Sequence, residues 1–174
     1  QGGHRRYKRD EVLLWAQTAR ETHPVHPEDM MQSAVRNVRM QITEGRLEAE
    51  NWYQKLDEDA RIQYRQGARS LFQGLMNYLA STNEDAASEA FAVGYEYASR
   101  ARRYNLSYVD ATRAFLFFRN VLNESVMKVY SEANIPSGKA WEEMLGKMQT
   151  FTDQILISLL DTYRALETGS NGKS

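Results

Sequence analysis

From Pro27 to Glu167 apolar residues recur three and four positions apart, the spacing of one face of an α-helix. The first such stretch, Pro27 to Glu44, carries Met30, Met31, Ala34, Val35, Val38 and Ile42, and Gly45 is placed to stop it. A second, Leu47 to Leu79, sets Trp52, Leu56, Ala60, Tyr64, Ala68, Leu71, Leu75 and Leu79 on one face. Within it Asp57-Glu58-Asp59 reads as a break and a fresh N-terminus, because carboxylates favour the positive end of a helix dipole. Ser81-Thr82-Asn83 ends that segment and caps a helix from Glu84 to Arg103, predicted to turn Ala87, Phe91, Gly94, Tyr95 and Ala98 inward. Arg100, Arg102 and Arg103 close it with cations where the dipole prefers them. Tyr104-Asn105-Leu106 is a turn, and Ser107, with Asp110 three residues on, is the cap of a helix reaching Glu132. Asn134-Ile135-Pro136 interrupts, and Ser137 caps a last helix to about Glu167.

The beginning of the chain reads differently. Gly2-Gly3 permits a tight turn, His4 to Lys8 is a short basic strand, and a short helix opens at Arg9 or Asp10 and runs through Val12, Leu13, Leu14 and Trp15. Pro24 and Pro27 frame a linker that no helix can cross. Pro27 suits the first turn of the next helix. The predicted division is residues 1–22 as the end of one domain, 23–27 as linker, 28–168 as an all-α, six-helix bundle-like body and 169–174 as a flexible tail.

Charge sharpens that division. The net charge of −1 conceals a balance of +3 over residues 1–20 and −4 over the remainder. A basic head on a mildly acidic body suits an element that touches nucleic acid joined to one that does not. With 42% hydrophobic and 26% charged residues the composition is that of a soluble globular protein, expected in the cytoplasm, without a membrane span. The absence of cysteine excludes disulfides, thiolate metal sites and a cysteine nucleophile.

The run Gly2-Gly3-His4-Arg5-Arg6-Tyr7, then Arg9, Asp10, Val12 and Leu13, resembles the wing of excisionase and MerR-type winged helix-turn-helix proteins. The resemblance implies a helix-turn-helix upstream of Gln1 and double-stranded DNA as the partner of the full-length protein. In that reading Arg5, Arg6, Lys8 and Arg9 hold phosphates, with His4 and Tyr7 beside the backbone. More weakly, Tyr97-Ala98-Ser99-Arg100-Ala101-Arg102-Arg103-Tyr104-Asn105-Leu106-Ser107-Tyr108-Val109-Asp110-Ala111 and Arg113-Ala114-Phe115-Leu116-Phe117-Phe118-Arg119 resemble the helical sensor domain of RsbT co-antagonist (RsbRD-type) proteins. That likeness implies a regulatory domain that receives a signal and alters an attached output module.

Candidate chemistry in the body is sparse. Ala114-Phe115-Leu116-Phe117-Phe118 is apolar in every direction around a helix, so it is a buried core helix, a subunit interface or a cavity wall. As a cavity wall, Phe115, Phe118 and Leu122 would join Phe91 and Tyr95 around a small apolar ligand. Arg113 pairs with Asp110 at helical spacing; an anion-sensing arginine there or at Arg119 is the alternative. His4, His23 and His26 all precede the helical body, so neither a metal site nor a haem ligand is expected, and no cofactor is. No catalytic residue is assigned and no enzyme activity expected: Gly-x-Ser-x-Gly and phosphate-loop patterns are absent, and no histidine lies beyond position 26. Leu145, Met148, Thr152, Ile155, Leu159, Thr162 and Leu166 make a heptad-like seam, widened by Leu156, Ile157 and Leu160, that either faces the body or meets a second copy in a homodimer. The expected function is a bacterial transcriptional regulator with a helical sensor or dimerisation domain. The alternative is an interaction module that docks a kinase or anti-sigma-type protein partner in stress signalling.

Overall fold

The computed structural model describes residues 27–43, 45–80, 83–132 and 138–171. The expected wing and short helix (residues 1–22), the linker up to His26 and the last three residues of the tail lie outside these. Within them are six helices and no strand: α1 (Pro27–Thr43), α2 (Asn51–Gln54), α3 (Glu58–Ala80), α4 (Asn83–Arg103), α5 (Tyr108–Glu132) and α6 (Lys139–Asn171). None of the helices is long and apolar enough to cross a membrane.

Local chemistry sets the boundaries. After α1, Gly45 takes φ +84°, a left-handed conformation that costs glycine little. Asp57 caps α3, its Oδ1 accepting from the Ala60 N–H at 2.8 Å. α4 ends with Asn105 at φ +56° and the Leu106 N–H bonded back to the Ala101 carbonyl at 2.9 Å, a left-handed close that asparagine tolerates. Ser107 then caps α5, its Oγ accepting from the Asp110 N–H at 3.1 Å.

α3 runs antiparallel to α4, with Asp59 opposite Tyr104 and Asn77 opposite Glu89. α5 runs antiparallel to α6, where Tyr130 stacks on Trp141 at 4.9 Å and Arg119 lies 3.9 Å from Asp153. α4 and α6 are parallel, Phe91 lying beside Ser158 and Arg102 beside Glu167, and theirs is the most extensive helix contact in the fold. A stripe of small residues, Ala90, Gly94, Ala98 and Ala101, makes it close. A Cβ built on Gly94 would lie 2.5 Å from the Ser158 Cβ and 2.8 Å from the Ile155 carbonyl oxygen. Ser158 Oγ donates across the seam to the Phe91 carbonyl at 3.1 Å.

α5 is the central helix. Ala114, Phe115 and Phe118 are fully buried, with Leu116 and Phe117 half-buried. The apolar run is thus core, and burial of each phenylalanine contributes about 1.5–3 kcal/mol. Trp52, Tyr64, Tyr97, Phe115 and Phe118 form a continuous aromatic centre. α1 packs chiefly against α5. The segment after it runs back along α5, with Arg46 2.8 Å from Glu124 and Lys55 2.6 Å from Asp110.

One expectation changes in part, and one open alternative is decided. On α4, Gly94 and Ala98 are buried as expected, but Ala87, Phe91 and Tyr95 are exposed, and the rest of the inward stripe is Ala86, Ala90, Val93, Tyr97 and Ala101. Both stripes obey helical spacing, but only the small-residue side allows the close approach of α6 at Gly94. On α6 the heptad-like seam faces this chain's own core, with Ile155 and Leu159 fully buried and Thr152 2% exposed. Ile157 and Leu160 are left 62% and 40% exposed.

Candidate functional site

The residues predicted to enclose a small ligand do not come together. Phe115, Phe118 and Leu122 are packed in the core, whereas Phe91 and Tyr95 are 60% and 52% exposed on the outside of α4. Phe115 instead meets Tyr97 edge-to-face at 5.7 Å, so a tyrosine of this chain fills the volume assigned to a ligand. The predicted DNA contacts, His4, Arg5, Arg6, Tyr7, Lys8 and Arg9, lie outside the described residues.

One concave feature of the described surface is a groove between α1 and α3. It has two adjoining hollows, of about 670 Å³ and about 340 Å³, that share Arg69 and Phe72. One face of α3 supplies Ile62, Arg65, Arg69, Phe72 and Met76, which recur three and four apart. α1 contributes Gln32, Val35, Arg36 and Ile42 from the opposite side. The floor is apolar: Phe72 and Ala68 are buried, Val35, Ile42 and Met76 half-buried, and Ile62 is 41% exposed. The groove exists because α1 takes its support from α5 rather than from α3.

Its rim is basic. Three guanidiniums, Arg36, Arg65 and Arg69, face one carboxylate, Glu48. That carboxylate is already engaged by Arg65 at 3.0 Å. Arg65 also lies over the Tyr53 ring at 5.8 Å, which holds this cation at one end of the groove. Arg36 donates to the Ser33 hydroxyl at 2.7 Å. Arg69 is exposed at the junction of the two hollows with its guanidinium uncommitted among the described residues. Sequence reasoning passed over this residue, because helical periodicity marks Arg69 only as a polar position.

Two further charged side chains stand where expected along their helices but are buried. Arg100, expected as a helix-end cation, has a side chain only 9% exposed. It pairs with Glu96 and sits between the Tyr64 and Tyr97 rings at 5.5 Å from each. Its guanidinium lies where a Cβ of residue 67 would be, so Gly67 leaves room for the arginine in this position and a larger residue would make its tip shift. The signal was present in the spacing: Arg100 follows the core residue Tyr97 by three. Burial pushes the hydroxyls of both tyrosines well above the ordinary tyrosine range, although the neighbouring Arg100 charge opposes it.

Asp110 is the second. It does pair with Arg113, at 3.5 Å, but its side chain is only 7% exposed and its shorter contact is with Lys55. Burial pushes this carboxyl up, and the hydrogen bonds and charges of Lys55, Ser107 and Arg113 together outweigh it and hold the group below the usual aspartate value. Arg119 lies 3.9 Å from Asp153, so each flanking arginine has a carboxylate beside it. Among the described residues no three histidine, cysteine or carboxylate side chains are grouped to hold a metal ion. Comparison with family models, with curated proteins and with solved structures finds no match to this chain.

Proposed function

We propose that this chain belongs to a bacterial, cytoplasmic transcriptional regulator. In it a winged helix-turn-helix head, ending in residues 1–22, is governed by the helical body. The observation that carries the reading is the position of the groove. One wall of it is α1, the helix that begins at Pro27 directly after the linker. An occupant of the groove bears on α1, and a shift of α1 is passed to whatever the linker holds. Binding changes output only to the extent that it favours one placement of α1 over another. The basic run His4–Arg9 supplies the phosphate-contacting edge, and its charge excess agrees with that role.

A second copy fits the other face. Phe91 and Tyr95 of α4 and Ile157 and Leu160 of α6 are exposed on neighbouring, parallel helices, linked where Ser158 bonds to the Phe91 carbonyl. Covering this face in a homodimer would pair two heads, as two DNA half-sites require. The same face favours the rival reading, in which a kinase or anti-sigma-type partner docks there.

The test is a mobility-shift titration of the full-length protein on its own promoter fragment, with light scattering for oligomeric state. The expected result is a dimer whose affinity falls steeply with salt and is weakened across sequences by Arg5→Glu with Arg6→Glu. Undiminished binding by that double variant defeats the head assignment. No shift at all, together with a stable heteromeric complex, favours the rival.

A further inference from the structure

We infer that the groove between α1 and α3 is a binding site for an amphiphilic carboxylate, a molecule with one anionic head and an apolar tail. The inference names the effector class for the regulator proposed above, and its coupling to DNA rests on that reading. The chemistry of the two parts of the groove calls for the two parts of such a molecule. Ile62, Phe72 and Ala68 offer an apolar floor, and exposed Ile62 gains most from being covered. Arg69 stands at the junction of both hollows, where a guanidinium can take a carboxylate in two parallel hydrogen bonds. Among the described residues Glu48 is the sole lining carboxylate, and Arg65 already neutralises it, so the field along the groove selects against cations.

Size agrees. The larger hollow, about 670 Å³, lies within the roughly 300–1,000 Å³ of small-molecule sites. From Arg69 to Ile62 the wall of α3 extends about 10 Å at 1.5 Å per residue, room for a medium-length alkyl tail that also leans on α1. A nucleic acid or another polyanion would leave the floor uncovered, and a neutral apolar ligand would leave Arg69 without a partner. With the head on Arg69, the tail lies along the α1 wall towards Ile42, so the ligand touches the helix that leads to the linker.

Calorimetric titration of the full chain with dodecanoate, kept below its micellar concentration, tests this. Dodecanol and dodecylammonium serve as neutral and cationic controls with the same tail. One dodecanoate per chain is expected, with dodecanol about tenfold weaker and dodecylammonium weaker still, since a charge-assisted bond is lost and then a repulsion added. Arg69→Gln should cost dodecanoate about tenfold while leaving dodecanol unchanged, and Arg69→Lys should recover part of the loss. Ile62→Asp, at an exposed position that the fold tolerates, should abolish binding of all but the cation. Equal binding of the three probes, indifference to Arg69→Gln, or no heat with dodecanoate overturns the site. Dodecanoate binding that leaves promoter affinity of the full-length protein unmoved overturns the coupling alone. Promoter binding without dodecanoate binding overturns the site and spares the regulator.

Discussion

Gly94→Ala separates close helix contact from helix propensity, because the two effects oppose each other at this residue. In an unobstructed helix, replacing glycine with alanine gains about 1 kcal/mol. At Gly94 the new methyl would lie 2.5 Å from the Ser158 Cβ and 2.8 Å from the Ile155 carbonyl oxygen. Ordinary carbon contacts are about 3.5–4.0 Å, so α4 and α6 must part by roughly 1 Å. Neither obstacle is the far end of a flexible side chain, so local rotation cannot relieve it. Overpacking of this kind costs about 1–3 kcal/mol. Stretching the Ser158–Phe91 hydrogen bond adds about 0.5–1.5 kcal/mol. The packing lost along Ala90, Ala98, Ile155 and Leu159 adds to that, and the net expectation is a destabilisation of about 1–4 kcal/mol. In a domain of this size that lowers Tm by several degrees, on the order of 10 °C at the upper end. Gly146→Ala is the matched control, a helical glycine whose added Cβ meets nothing within 4 Å. It should raise stability by up to about 1 kcal/mol. Urea unfolding followed by far-ultraviolet circular dichroism, with thermal scans alongside, measures both. Equal stabilisation by the two substitutions would refute the close α4–α6 seam.

Asp110→Asn should cost about 1–2 kcal/mol by weakening the 2.6 Å contact with Lys55, the sum being limited because that lysine is largely exposed. The aspartate is held below its ordinary pKa of 3.8, so its stabilising contribution is present above that value and is lost as pH falls through the folded-state value. Urea midpoints of wild type and variant should therefore differ at neutral pH and converge in acid; a gap independent of pH would contradict the ion pair. Tyr64 and Tyr97 have pKa values raised by burial from an ordinary 10.0, so the native state resists their ionisation. Stability should be intact below pH 10 and decline above it, with Tyr64→Phe softening the decline. Ultraviolet titration in which all tyrosines ionise together near pH 10, with the fold intact, would count against the buried pair.

Helix positions were legible because their ends are written in local chemistry. Asp57, Ser107 and Gly45 each act within a few residues of where they stand, and the structure places caps or turns at all of them. What escaped was decided between helices. The exposed side of α4 carries the large Phe91 and Tyr95, and its buried side the smaller Ala86, Ala90 and Val93; side-chain size points the wrong way, and the close contact with α6 at Gly94 decides it. Lys55 and Asp110 meet from segments far apart in the chain, so no spacing could have paired them. Arg100 enters the core because Gly67 makes room on another helix. The groove is likewise a product of tertiary packing, since it depends on which neighbour supports α1. The rings of the aromatic helix expected to line a ligand site pack against one another and against Tyr97, a partnership that no local spacing announces.

The one-sided support of α1 has a thermodynamic corollary. Resting chiefly on α5, this helix has fewer buried neighbours to lose than α4 or α6, so it can peel from the bundle while the remainder stays folded. Its amides should then exchange with solvent through a cheaper, subglobal opening. A bound molecule that bridged α1 to α3 would slow that exchange selectively, converting occupancy into stiffness at the start of the described chain.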